Sequence, residues 1–78
     1  MGLRVTDSRS EKAVSIIKHL TPQMEFGELE IVMRELGIDI YMGLGANGKI
    51  VVRDLTDLQL VAFAAALSAY AEAFHPEW

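Results

Sequence analysis

The stretch GLGANGKIVV, residues 43–52, combines glycines and a lysine in spacings found in nucleotide-binding loops. Gly43, Gly45 and Gly48 fit the pattern G-x-G-x-x-G, and Gly43, Gly48 and Lys49 fit G-x-x-x-x-G-K. Both motifs need a helix directly after the glycines, because the N-terminus of that helix holds the phosphates. Here the glycines are followed by IVVRD, which is typical of a strand. The stretch therefore predicts a tight turn between strands.

The glycine-rich loop of protein kinases is a third match, because that loop lies in a hairpin. A kinase also needs its HRD and DFG motifs, and the sequence contains neither. Glycine and asparagine are the residues that tight turns use, so one cause explains all three matches. We therefore predict no nucleotide cofactor.

Histidines and glutamates are the other residues that could carry chemistry. His19 and His75 are predicted near the C-terminal ends of two helices, where a histidine stabilises the helix dipole without a catalytic role. No metal-ligand spacing links them to each other. Four glutamates are predicted on the solvated side of the second helix: Glu25, Glu28, Glu30 and Glu35. They form an acidic surface that a basic partner could contact, and we predict no catalytic residue, metal or cofactor.

The composition favours a small domain that associates with itself or with another protein. The chain has 78 residues and a net charge of −4, and 51% of its residues are hydrophobic. A core of this size cannot bury that many apolar side chains, so we expect a homodimer or a permanent protein partner. Seven basic residues in an acidic chain do not supply the basic face of a nucleic-acid binder.

Two further features bear on location. The chain contains no cysteine, which excludes disulfides and thiolate metal sites and is ordinary for a cytoplasmic protein. The longest apolar run, LVAFAAALSAYA, is shorter than the roughly 20 residues that a membrane span needs. We therefore expect a cytoplasmic protein that does not bind a membrane.

Hydrophobic spacing predicts one domain over residues 10–78, after a loose N-terminal arm over residues 1–9. The first helix is expected over residues 10–20. The third helix is expected to begin after Thr56 as its N-cap and to end before Pro76. No internal repeat or linker divides the chain.

The second helix is predicted from cap residues at both ends. Pro22 suits its first position with Thr21 as the N-cap, although the flexible Gly27 leaves a start near Glu28 open. Gly37 is expected to end it in the left-handed conformation. Five apolar residues are predicted to form its buried stripe: Phe26, Leu29, Val32, Met33 and Leu36.

A β-hairpin is predicted between the second and third helices. From Ile38 the hydrophobic period changes to that of a strand, and a three-residue loop at residues 46–48 keeps the apolar side chains on one face. The outer face would then display Tyr41, Val51 and Arg53. The expected fold is α+β, in the order helix–helix–β-hairpin–helix (ααββα), with the long C-terminal helix packed on the hairpin.

The third helix carries two contrasting stripes. Its large residues recur at helical spacing and are expected to face the core: Leu60, Phe63, Leu67, Tyr70 and Phe74. Its alanines line the opposite side and are expected to contact a second subunit or a partner protein: Ala62, Ala65, Ala66, Ala69 and Ala73. This face and the outer hairpin residues are the predicted interaction surfaces.

The predicted element order resembles that of winged-helix DNA-binding domains, and LTPQMEFGELEIVMRELG is similar to a helix of such regulators. The resemblance implies DNA binding through the second helix, with the hairpin tip as the wing. A recognition helix needs basic or amide side chains for base edges, and this helix offers Arg34 among glutamates.

No nucleophile–base pair, metal cluster or cofactor loop is found, so we do not predict an enzyme. The predicted function is a non-catalytic protein-interaction module, homodimeric, that binds a partner protein as an adaptor or as a phage or plasmid inhibitor. A winged-helix-like DNA-binding regulator is the alternative.

Overall fold

The computed structural model describes residues 7–40 and 50–78. Of these residues 79% are helical, and none forms a strand. Three α-helices and two short 3-10 helices make up the described fold: α1 (Asp7–Leu20), a 3-10 helix (Thr21–Gln23), α2 (Phe26–Leu36), a 3-10 helix (Val52–Asp54) and α3 (Asp57–Phe74). The fold is therefore small and all-helical.

The predicted α+β class and its hairpin are wrong. The predicted second strand forms a 3-10 helix at Val52–Asp54, closed by hydrogen bonds from the Asp54 and Leu55 N–H groups to the carbonyls of Val51 and Val52. A run of β-branched residues forms a strand only where other strands pair with it, and an isolated hairpin is marginal. The predicted loop and the other residues of 41–49 lie outside the described residues.

The segment after α1 turns back onto that helix. The Thr21 hydroxyl donates a hydrogen bond of 2.8 Å to the Ile17 carbonyl, and the Gln23 amide donates one of 3.1 Å to the His19 carbonyl. These bonds satisfy carbonyls that the end of a helix leaves unpaired. Thr21 is thus used by α1 and does not cap α2 as predicted. At the other end α1 begins at Asp7, earlier than the expected residue 10.

The ends of α2 are set by local hydrogen bonds. Glu25 is the N-cap, and its backbone N–H donates to the Glu28 carboxylate at 2.9 Å in a capping box. At the C-terminus Gly37 has φ of 73°, and the Ile38 N–H donates to the Met33 carbonyl at 2.9 Å. The predicted left-handed glycine cap is confirmed.

Both predicted ends of α3 are confirmed. Thr56 accepts a hydrogen bond from the Gln59 N–H at 3.1 Å, and the Gln59 side chain accepts one from the Thr56 N–H at 2.9 Å. This reciprocal pair is the capping box. The helix ends at Phe74, two residues before Pro76, which cannot continue it.

The core is formed by one stripe from each helix, and α3 packs against both α1 and α2 rather than on a hairpin. The four largest fully buried side chains are Ile17, Met33, Phe63 and Leu67. Burying each such side chain contributes about 1.5–3 kcal/mol. The predicted stripes are confirmed at their centres and fail at their ends, because Phe26, Leu36 and Phe74 are exposed.

Gly27, within α2, and Gly37, its C-cap, allow a matched test of the backbone conformation. A Cβ at Gly27 or at Gly37 would meet no atom within 4 Å, so only the positive φ of Gly37 distinguishes them. Gly37→Ala should destabilise the protein by about 1–2 kcal/mol, the cost of a left-handed conformation for an L-residue. Gly27→Ala should stabilise it by about 0.4–1 kcal/mol. Urea unfolding of both variants measures this, and equal effects would contradict the assigned cap.

Candidate functional site

An open apolar groove of about 600 Å³ lies between α2 and α3. We call it the α2–α3 groove, and its principal apolar walls are Ile31, Leu36, Ala66, Ala69, Ala73 and Phe74. Ile31 is 51% exposed and Phe74 is 65% exposed, although both are large apolar side chains. Large apolar side chains grouped on one open surface mark a binding site more often than isolated ones do.

Most of the alanines predicted as an interface lie on the open side of α3, although Ala66 also packs against the core. Ala65, Ala69 and Ala73 are exposed, and Ala62 and Ala66 are half-buried. Leu58, on the same side of the helix, is 79% exposed. We call these six residues the alanine face. The structure brings its C-terminal half together with Ile31 and Phe74 in the α2–α3 groove, which the sequence did not predict.

The structure describes two of the three residues predicted for the outer face of the hairpin, Val51 and Arg53. Tyr41 lies outside the described residues. Val51 is half-buried, whereas Arg53 is exposed in the 3-10 helix and lies 3.8 Å from Asp54. The prediction placed Val51 and Arg53 on one face because side chains alternate in direction along a strand. The described residues form no strand, so that reason no longer applies.

The Glu28 carboxylate joins the start of α2 to the end of α3. One of its oxygens accepts the capping hydrogen bond of α2 from the Glu25 N–H, and the other lies 2.5 Å from Nε2 of His75. Since a carboxylate only accepts hydrogen bonds, Nε2 of His75 carries the proton. The Glu28 side chain is 18% exposed, so this contact is largely screened from water.

These contacts change the acidity of two groups. The hydrogen bond from His75 holds the pKa of Glu28 below its ordinary value of 4.5, with help from the Glu25 N–H and from Tyr70. Loss of water contact raises the pKa of the Tyr70 hydroxyl, and the nearby negative charge of Glu28 raises it further. Glu28 is therefore held ionised and Tyr70 protonated.

Aromatic rings flank this hydrogen bond. The His75 ring stacks on Trp78 with centroids 4.0 Å apart, and Tyr70 packs against Phe74 with centroids 4.6 Å apart. The carboxylate of Glu28 is already occupied on both oxygens. Within the described ranges there is no group of histidine and carboxylate side chains that could hold a metal ion. The arrangement fixes the C-terminal end of α3.

Sequence reasoning missed this cluster. Glu28 was assigned to a solvated acidic surface, which holds for Glu25 and Glu35 but not for Glu28. His75 lies at the C-terminal end of α3 as predicted, but its partner is 47 positions away. No local pattern signals such a pair. The capping-box spacing between Glu25 and Glu28 was the one available hint that the Glu28 carboxylate is structurally engaged.

The basic residue of α2 offers little to DNA. Arg34 donates a hydrogen bond of 2.8 Å to Glu30 one turn away, so its charge is already paired. No described residue forms a strand of the predicted hairpin, and the hairpin tip that was predicted as the wing lies outside the described residues. The DNA-binding alternative has lost the architecture that suggested it.

Comparison with known proteins found no matching family model, no matching curated protein and no matching solved structure. Among the described helices, none is sufficiently long and apolar to traverse a bilayer.

The Glu28–His75 contact predicts a specific pH dependence. Because the pKa of Glu28 is lowered by folding, its contribution to stability is present above the ordinary carboxyl pKa and is lost as the pH falls through the lowered value. Glu28→Gln should therefore flatten the fall in the free energy of unfolding below pH 4.5. Glu35→Gln, at an exposed position of the same helix, should retain the wild-type slope. Identical profiles for wild type and Glu28→Gln would contradict the assignment.

Proposed function

We propose that this protein is a non-catalytic interaction module that binds a protein through the α2–α3 groove and the alanine face. The observation that carries the proposal is the groove itself, about 600 Å³ in volume and walled by exposed apolar side chains. A monomer in water gains nothing from exposing Ile31 and Phe74 side by side, whereas a binding surface needs such residues.

The chemistry of the groove supports binding rather than catalysis. Its described lining contains one carboxylate, Glu35, and one hydroxyl, that of Tyr70, which is directed to Glu28. A catalytic site needs a nucleophile or an acid–base pair close to a substrate position. The polar groups of this lining are better suited to the rim of an apolar interface.

The role as an adaptor or inhibitor, and the cytoplasmic location, belong to this proposal. A net charge of −4 on a chain of 78 residues favours approach to a basic target. Glu25, the N-cap of α2, and Glu35, within α2, are exposed and contribute to that charge. Among the glutamates of α2, Glu35 lies on the wall of the groove, whereas Glu28 is paired with His75 and Glu30 with Arg34.

A photoreactive amino acid at Ala69 tests this function. Ala69 is exposed and lines the groove, so the probe should cross-link to a discrete protein in extracts of the native host. The matched control is the same probe at Ser15, which is exposed on α1. The Ala69 adduct should disappear when Ile31→Glu places a charge on the wall of the groove. Equal labelling from both positions, or none, would contradict the proposal.

A further inference from the structure

We infer that the occupant of the α2–α3 groove is a second copy of this chain, an inference that rests on the function proposed above and names its partner. In this arrangement α3 of each copy lies antiparallel to α3 of the other. The two-fold axis passes between Ala65 and Ala66, the middle of the helix.

The alanine face has the features that a two-fold contact requires. An isologous dimer uses the same patch on both copies, so one patch must contain both the protruding group and the site that receives it. Leu58 protrudes at the N-terminal end of the face and is 79% exposed. The groove runs along α3 from Ala66 to Ala73, and its far end lies about 22 Å from Leu58 along the helix. Rotation about the midpoint exchanges these two ends.

The register follows from the spacing along α3. Residues equally far from the midpoint face each other, so Leu58 meets Ala73 of the partner subunit and Ala62 meets Ala69 of the partner subunit. The single large residue of the alanine face thus lies over a small one. Alanine-to-alanine contacts in the centre allow the helix axes to approach to about 8 Å, the lower end of the usual range.

Exposed apolar side chains on α2 and α3 supply the contact area that a dimer needs. Leu58, Ile31, Leu36 and Phe74 are all large and substantially exposed, and the exposed alanines extend the same surface. A stable two-fold interface buries roughly 600 Å² or more per copy, which requires most of these side chains to be covered. A short peptide lying only in the groove would leave Leu58 uncovered. A second copy covers both ends of the face.

The middle of α3 carries no charge, although Glu35 lies on the wall of the groove beside it. Two copies that each carry a charge of −4 repel one another over most of their surfaces. Between Asp57 and Glu72, however, α3 contains no charged residue. Contact through this face brings no like charges together there, and antiparallel helices align their dipoles favourably.

Engineered cysteines test the contact and its register. The natural chain has no cysteine, so any disulfide arises from the introduced residue. In the antiparallel pair the two copies of residue 65 lie about 6 Å apart, within disulfide range, so Ala65→Cys should give a cross-linked dimer. The two copies of residue 69 are separated by about 10 Å along the axis, so Ala69→Cys should not. Mixing Ala62→Cys with Ala69→Cys should give the mixed disulfide.

A charge in the face tests the interface without a disulfide. Light scattering of the wild type should give a mass near twice 8.6 kDa. Ala69→Glu should raise the dissociation constant by roughly tenfold or more, a difference of about 1.4 kcal/mol. Because Ala69 is exposed, circular dichroism should show an unchanged helix content. Ser15→Glu, on α1, is the matched control and should leave the mass unchanged.

The outcomes separate the two proposals. A monomer whose Ala69 probe labels a different protein would overturn the second copy and leave the proposed function standing. Disulfides from both Ala65→Cys and Ala69→Cys would indicate parallel helices and overturn the register. A monomer that labels nothing at Ala69 would overturn both proposals.

Discussion

The Glu28 carboxylate is the polar contact that ties the start of α2 to the end of α3. One oxygen accepts a hydrogen bond from the otherwise unpaired Glu25 N–H at the start of α2. The other oxygen binds His75, just beyond the end of α3. The two helices are separated in sequence by the whole segment between Gly37 and Thr56, so chain connectivity does little to align them. A charge-assisted hydrogen bond, stronger than a neutral one, supplies that alignment at one end.

The groove is a consequence of this arrangement. The inner faces of α2 and α3 are held by Met33, Phe63 and Leu67, which are fully buried, and one end is held by Glu28. Nothing described covers the outer faces, where Ile31 and the alanines lie. α3 packs more extensively on α1 than on α2, and the α2–α3 groove is the open channel between the less closely packed pair.

Local signals were predictable from the sequence, and long-range ones were not. The Gly37 cap and the Thr56 capping box depend on residues within a few positions, so their patterns predict them correctly. A strand at Val52 would need pairing partners elsewhere in the chain. The structure has a 3-10 helix at Val52–Asp54 instead. The helical spacing of the large apolar residues identified the core positions of α3. It could not identify the groove, because a groove depends on how two helices are placed relative to each other.

The alanines of α3 also explain how an open face can remain ordered. Alanine is the best helix former, so α3 does not need a partner on its outer side to stay helical. Its inner side is fixed independently by Leu60, Phe63 and Leu67, which are buried in the core. A binding surface on such a helix is already formed before its partner arrives, and association then costs little conformational entropy. Small side chains have few rotamers to lose, so an interface of modest area can still be stable.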